Sequence, residues 1–175
     1  VCEKMKPLLN YEVLGALVNN KFQEMSYRVF KEKKIEFFDI TNPIGLQMYF
    51  RSLCFMFYKS LKDLYPESRL LVKHSISGGK YCRIENLPCE IDNEFIANIK
   101  KRMLEIVDLD IPFQRKEMLT EDAIKIYEDN NLHEKKQLFK SRNRVYTSVY
   151  KLLDTVNYYY GYLVPSTSYL RVFNI

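Results

Sequence analysis

The sequence has no tryptophan and only two histidines, His74 and His133. Five glycines and six prolines in 175 residues are too few for a flexible linker, a collagen-like repeat or a disordered tail. The two histidines stand apart, so no histidine-rich ligand spacing for a metal exists. The cysteines are Cys2, Cys54, Cys82 and Cys89, with no CxxC pair among them. That spacing excludes a zinc ribbon, and Cys54 sits inside an apolar helical pattern where a buried free thiol is usual. Reduced cysteines imply a reducing, cytoplasmic compartment without disulfides. Neither GxxxxGK[ST] nor GxGxxG occurs. Ser77-Gly78-Gly79-Lys80 reads as a hairpin turn rather than a phosphate loop. No serine or cysteine has a neighbouring base, which leaves a nucleophilic triad without support. No apolar run approaches the roughly 18–20 residues that span a bilayer; the longest, Leu53–Tyr58, stops at Lys59. No signal-peptide pattern follows Val1, and the missing initiator Met suggests a piece of a longer chain.

What is present is a globular composition, 47% hydrophobic, with Lys+Arg 27 against Asp+Glu 22 for a net charge of +5. Within 133–144, Lys135, Lys136, Lys140, Arg142 and Arg144 face only Glu134, so nearly all of the excess reads as one stretch. A solvated helix end explains such a run, and so does a phosphate-contacting patch. Tyr146, Tyr150, Tyr158, Tyr159, Tyr160, Tyr162 and Tyr169 are half of the 14 tyrosines. Half-buried strand positions account for them, as does stacking on bases beside the basic stretch.

Periodicity predicts strands over Tyr11–Val18, Phe22–Phe30 and Ile35–Ile40, with a turn at Asn19-Asn20. Asn42 and Pro43 then open a helix over Ile44–Leu64, whose stripe is read as Leu46, Phe50, Leu53, Phe57, Leu61 and Leu64. A hairpin around Ser77-Gly78-Gly79 joins Leu70–His74 to Lys80–Ile84. Asp92 caps a helix with Phe95, Ile96, Ile99, Met103, Ile106 and Val107 inward. A strand at Ile111–Glu117 and a helix at Glu121–Asp129 capped by Thr120 follow. A basic helix is expected over Leu132–Lys140, and strands over Arg144–Leu152, Thr155–Tyr160 and Tyr169–Phe173. The order implies an α+β fold with antiparallel sheet and two units meeting near residue 42.

Certain segments resemble the editing domain of bacterial threonyl-tRNA synthetases. They are Leu64-Tyr65-Pro66 closing the long helix, Val72–Tyr81, Ile99–Met103 with Asp110–Phe113, and Asp154–Thr167, which ends in Val164-Pro165-Ser166-Thr167. Residues 10–40 look like the later strands of a TGS domain, a small ubiquitin-like β-grasp. The resemblance therefore implies a partial TGS-like unit over 1–41 and an editing-like unit over 42–175. The functional residues of that family do not carry over. Its His-x-x-x-His positions fall on Arg51 and Phe55, and its Cys-x-x-x-His positions on Tyr159 and Leu163. An aspartate two residues earlier becomes Asn157, while a helix lysine survives as Lys135 or Lys136. With the imidazoles and the thiolate gone together, neither a metal set nor an obvious base remains. The Tyr158-Tyr159-Tyr160-Gly161 run before Val-Pro-Ser-Thr is closer to bacterial uridine kinase-like (nucleoside kinase) proteins. These carry such a region ahead of a P-loop kinase.

The expectation is thus a non-catalytic N-terminal region of a uridine kinase-like protein, regulatory or binding a ligand or RNA through a degenerate editing cleft. Arg51, His74, Tyr81, Asn157 and Tyr159 are its candidate ligand contacts. Lys135, Lys136, Lys140, Arg142 and Arg144 are its candidate phosphate contacts. No cofactor is expected here, since ATP and Mg²⁺ would belong to a downstream kinase domain. The expected partners are that kinase domain, tRNA or another RNA, a nucleotide, or a second copy of the chain, but no membrane. Two rival readings stay open. One is an active aminoacyl-tRNA deacylase with Lys135 or His74 poised near Tyr159. The other is a docking or dimerisation module using the tyrosine strands.

Overall fold

The computed structural model describes residues 11–130, 132, 137–139 and 144–175. Its first sheet has the order β2-β1-β3, with β1 Gly15–Val18, β2 Lys21–Gln23 and β3 Ile35–Phe38, all antiparallel. Asn19 and Asn20 make the β1–β2 turn with φ of 49° and 63°, the left-handed region that asparagine tolerates. The second predicted strand ends at Gln23; Tyr27–Phe30 are exposed and unpaired in any strand. Among the described residues no other element covers that run, so its apolar residues gain nothing from pleating.

Helix α1, Pro43–Leu64, starts as expected. Asn42 Oδ1 accepts the Ile44 N–H at 2.9 Å, and Pro43 occupies the first turn, where its missing N–H has no cost. Its buried face matches the stripe read in the sequence only in part. Gly45, Met48, Tyr49, Ser52, Phe55, Met56, Tyr58, Lys59, Ser60 and Leu61 are buried, while Leu46 and Leu64 are 42% and 40% exposed. Of the expected stripe, Leu61 is fully buried and Leu53 and Phe57 pack partly buried against the core. The buried face also carries a glycine, two serines and a lysine, which apolar counting passes over. Each serine satisfies itself within the helix, Ser52 Oγ to Met48 O and Ser60 Oγ to Met56 O. Gly45 is required by contact: a Cβ there would lie 1.9 Å from the Asp39 carbonyl oxygen. Leu14 and Phe38 of the first sheet share the main core with Tyr49, Phe55 and Met56.

A two-stranded sheet follows, β4 Arg69–Ile76 with β5 Gly79–Glu85, turning at Ser77-Gly78. Helix α2, Asn93–Asp108, is capped by Asp92, whose Oδ1 accepts the Phe95 N–H at 2.8 Å. It buries Phe95, Ile99, Met103, Ile106 and Val107. The third sheet has the order β6-β7-β8, with β6 Gln114–Leu119, β7 Tyr146–Leu152 and β8 Thr155–Asn157. Helix α3, Thr120–Asp129, lies between β6 and β7 in the chain. Thr120 does not cap it; its Oγ1 donates instead to Arg144 O at 2.6 Å, tying the helix start to the approach of β7.

Two of the expected strands near the end of the chain differ in the structure. Pairing of β8 ends at Asn157, where Tyr158–Tyr160 leave the sheet. Tyr169 belongs to a single 3-10 turn, Thr167–Tyr169, and 170–175 pair with no strand. Of the expected basic helix, Gln137–Phe139 are helical; His133 through Lys136 and Lys140 lie outside the described residues. Among the described residues no helix is long and apolar enough to cross a membrane.

Candidate functional site

Where β8 ends, the chain crosses α1 in the segment Tyr158–Pro165, and the sequence builds three clamps for it. Arg51 donates from Nε and Nη2 to the Tyr162 carbonyl at 3.1 and 3.0 Å. Tyr150 Oη donates to the Gly161 carbonyl at 3.1 Å. Val164 N–H donates to Ser52 Oγ at 2.9 Å. Gly161, at φ 103°, is needed where the chain passes the guanidinium, since a Cβ would sit 3.1 Å from Arg51 Cζ. Arg115 lies over the Tyr162 ring, 5.3 Å from its centroid.

The Val-Pro-Ser-Thr segment continues this anchoring. Thr167 Oγ1 donates to Ile106 O and accepts the Ile111 N–H, and Phe113 N–H donates to Pro165 O. Ser166 Oγ donates to Asp110, whose carboxyl is held below its usual value by that bond and a second from Ser168. The motif fastens the residues leading into β6 to the end of α2.

Beside the clamped segment lies a cleft of about 910 Å³. Its floor is Cys54, Tyr58 and Lys62 of α1. One wall is the outer edge of β4, the consecutive residues Arg69–Lys73, with Asn86 and Glu67. The other is Asn157, Tyr158, Tyr159 and Tyr160, closed at the far end by Asn130, Leu132 and Leu138. Among the described residues, four tyrosines, three amides and three cations stand against one carboxylate, which suits an anionic ligand with a flat ring.

Of the expected contacts, Asn157 and Tyr159 line this cleft. Asn157 Oδ1 accepts the Tyr158 N–H at 2.8 Å, which turns the chain out of β8. Tyr159 lays its ring 5.2 Å from Phe55 and 6.4 Å from Tyr150. Phe55 and Leu163 are core residues, 0% and 3% exposed. Arg51 lies outside the cleft lining, with its fork on the Tyr162 carbonyl; that replaces the expected anion contact, and burial lowers its pKa. His74 and Tyr81 stand on the far half of the β4–β5 hairpin, ring against ring at 5.2 Å, also outside the lining. Lys135, Lys136, Lys140 and Arg142 lie outside the described residues, and Arg144 is exposed, its carbonyl holding Thr120.

Three of the described cleft groups are held in their protonated forms. Burial pushes the Cys54 thiol up to about 11 and raises Tyr58 and Tyr159 above their ordinary value. All three hold their protons at neutral pH, so none is a thiolate or phenolate nucleophile. Among the described residues no group of three His, Cys, Asp or Glu could hold a metal ion. Beneath the cleft, buried Lys59 donates to Asp63 at 2.5 Å and to Asp154. Asp63 also takes Arg102 Nε at 2.8 Å, and Arg102 reaches Glu105.

The sequence reading missed Lys62, Arg69 and Lys73. It gave nearly all the positive excess to 133–144, yet 69–84 carries Arg69, Lys73, Lys80 and Arg83 with no acid. Tyr58, at the end of the apolar run Leu53–Tyr58, was missed as well. Counting charge element by element finds both.

No family model matches the chain. It is similar to the threonine–tRNA ligase of Clostridium kluyveri, 29% identical over 168 residues, which is 95% of this chain and 26% of the ligase. The corresponding ligase of Rubrobacter xylanophilus is 27% identical over 175 residues, 100% of this chain and 27% of the ligase. That of Carboxydothermus hydrogenoformans is 27% identical over 177 residues, again 100% of this chain, and 28% of the ligase. The chain therefore spans about a quarter of the length of the curated relatives it matches.

Proposed function

We propose that this chain is a threonyl-tRNA-synthetase editing-like module that holds the single-stranded end of a tRNA, or a nucleotide resembling it, without hydrolysing it. One observation carries the reading. The cleft combines Tyr58, Tyr158, Tyr159 and Tyr160 with Lys62, Arg69 and Lys73, while the positions matching the family's histidines and cysteine are spent otherwise. Phe55 and Leu163 pack, Arg51 clamps backbone, and Tyr159 keeps its proton. Bases stack on the rings, the cations meet phosphate, and the amides offer hydrogen bonds to base edges. Similarity over nearly the whole chain to threonine–tRNA ligases supports the tRNA side of this reading.

The division at residue 42, with a partial TGS-like β-grasp before it, belongs to the same proposal. It is supported by the antiparallel β2-β1-β3 sheet and the Asn19-Asn20 turn. A nucleoside-kinase parent is supported by the Tyr158–Gly161 run, whereas the three relatives named are ligases. Calorimetric titration with an uncharged tRNA is the test of binding, with saturable heat expected and a flat trace contradicting it. A hydrolytic reading is favoured by the ligase relatives. It predicts deacylation of mischarged tRNA faster than buffer.

A further inference from the structure

The β4–β5 hairpin is a second feature that cleft binding leaves unexplained. From Val72 to Tyr81 every residue is exposed, so this half of the hairpin stands away from the core. Its register sorts the side chains by face, because opposed residues in an antiparallel pair point the same way. Leu70↔Ile84, Val72↔Cys82 and Ser75↔Lys80 form the inner face, and Lys80 Nζ lies 5.8 Å from the centre of the Phe50 ring on α1. Arg69↔Glu85, Leu71↔Arg83 and His74↔Tyr81 form the outer face. The register shift between Val72 and His74 is what puts the His74–Tyr81 pair there, beside Arg83.

The outer face therefore presents a ring pair 5.2 Å apart, with Tyr81 48% exposed, next to an Arg83 side chain 63% exposed. Glu85 lies 3.7 Å from both Arg69 and Arg83. Arg69 and Lys73 belong to this hairpin and also line the cleft, so the two surfaces are continuous across the β4 edge. A flat aromatic platform flanked by cations is the arrangement that takes single strands by stacking and phosphate contact.

We infer that the outer face of the β4–β5 hairpin carries a single-stranded RNA onward from the cleft. Tyr81 and His74 stack one base, and Arg83 and Lys73 meet the phosphates on either side of it. This path rests on the cleft reading only for where the strand goes next; the platform stands on its own residues.

Fluorescence anisotropy with a trinucleotide and a decanucleotide RNA separates the two surfaces, using Tyr81→Ala, Arg83→Ala and, in the cleft, Tyr160→Ala. The mutated side chains are exposed, and circular dichroism checks that each variant keeps its fold. Tyr81→Ala should weaken the decanucleotide roughly 5- to 150-fold and leave the trinucleotide unchanged. Arg83→Ala should lower the slope of log affinity against log salt by about 0.7 for the decanucleotide. Unchanged decanucleotide affinity and slope in both variants would overturn the platform while leaving the cleft intact. Decanucleotide binding that needs Tyr81 and Arg83, with no trinucleotide binding, supports the platform and removes the cleft. If neither RNA binds, both ideas fall. Displacement of the decanucleotide by an equally long polyglutamate at equal concentration would reduce the surface to bare charge and contradict stacking.

Discussion

Arg51 shows why a single residue is hard to read from sequence. Its guanidinium suits an anion, but the Tyr162 carbonyl and Gly161 are its neighbours, and they lie more than a hundred positions away. Lys59 was invisible for the same reason: its carboxylate partner Asp154 is 95 positions distant. Burial alone would lower Lys59, yet hydrogen bonds to Asp154 and Asp63 outweigh it and raise the group. Asp154 is lowered by its bond from Lys59. A lowered carboxyl stabilises fully above its unfolded value of 3.8 and loses that contribution as pH falls through its folded value. Asp154→Asn should therefore flatten the acid limb of stability below that pH, read by urea melts. Because the Asp154 side chain is 80% exposed, Asp154→Ala should cost under about 1 kcal/mol at neutral pH. Asp63→Ala should cost about 3 kcal/mol, since it strips carboxylate from both Lys59 and Arg102. Tyr127 gives the opposite case. Its ring is 0% exposed, and its hydroxyl is buried with no hydrogen-bond partner among the described residues. Tyr127→Phe should leave thermal stability unchanged or raise it by about 1 kcal/mol, because it deletes an unsatisfied polar atom without opening a cavity.

At the scale of elements, local chemistry was legible and the phase of α1 only in part. The Asn42–Pro43 start, the Asp92 cap, the Asn19-Asn20 turn and the stripe of α2 all follow from rules that act within a few residues. The phase of α1 followed only in part: Leu61 of the expected stripe is fully buried, but the inward face also holds Gly45, Ser52, Lys59 and Ser60, placed for close approach and for hydrogen bonds. The expected strand over Tyr169–Phe173 fails likewise: Thr167 and Leu170 turn inward to α2 and the core instead of pairing. Gly45→Ala should destabilise by about 2–3 kcal/mol in chemical denaturation, since the Asp39 carbonyl must move for the methyl to fit. A loss below about 0.5 kcal/mol would mean that the first sheet and α1 are less tightly joined than the contact implies. In the candidate site, the tyrosines and Asn157 were legible as a cluster, while the cations of β4 were hidden in a segment that reads as an ordinary hairpin.

For the whole molecule, the net charge of +5 is not one patch. The described structure puts three cations around a tyrosine-walled cleft and more along the hairpin beside it, with the fastening motifs behind. The scarcity of histidine now has a structural counterpart: the described histidine, His74, is on the hairpin, and in the cleft Cys54 and Tyr159 keep their protons. The central claim is binding without hydrolysis. Its most direct measurement follows a mischarged tRNA of the threonine type with increasing protein, recording both the bound fraction and the surviving ester. The account predicts saturable binding with ester loss no faster than in buffer. Ester loss that rises in proportion to protein, or no binding at all, would contradict it.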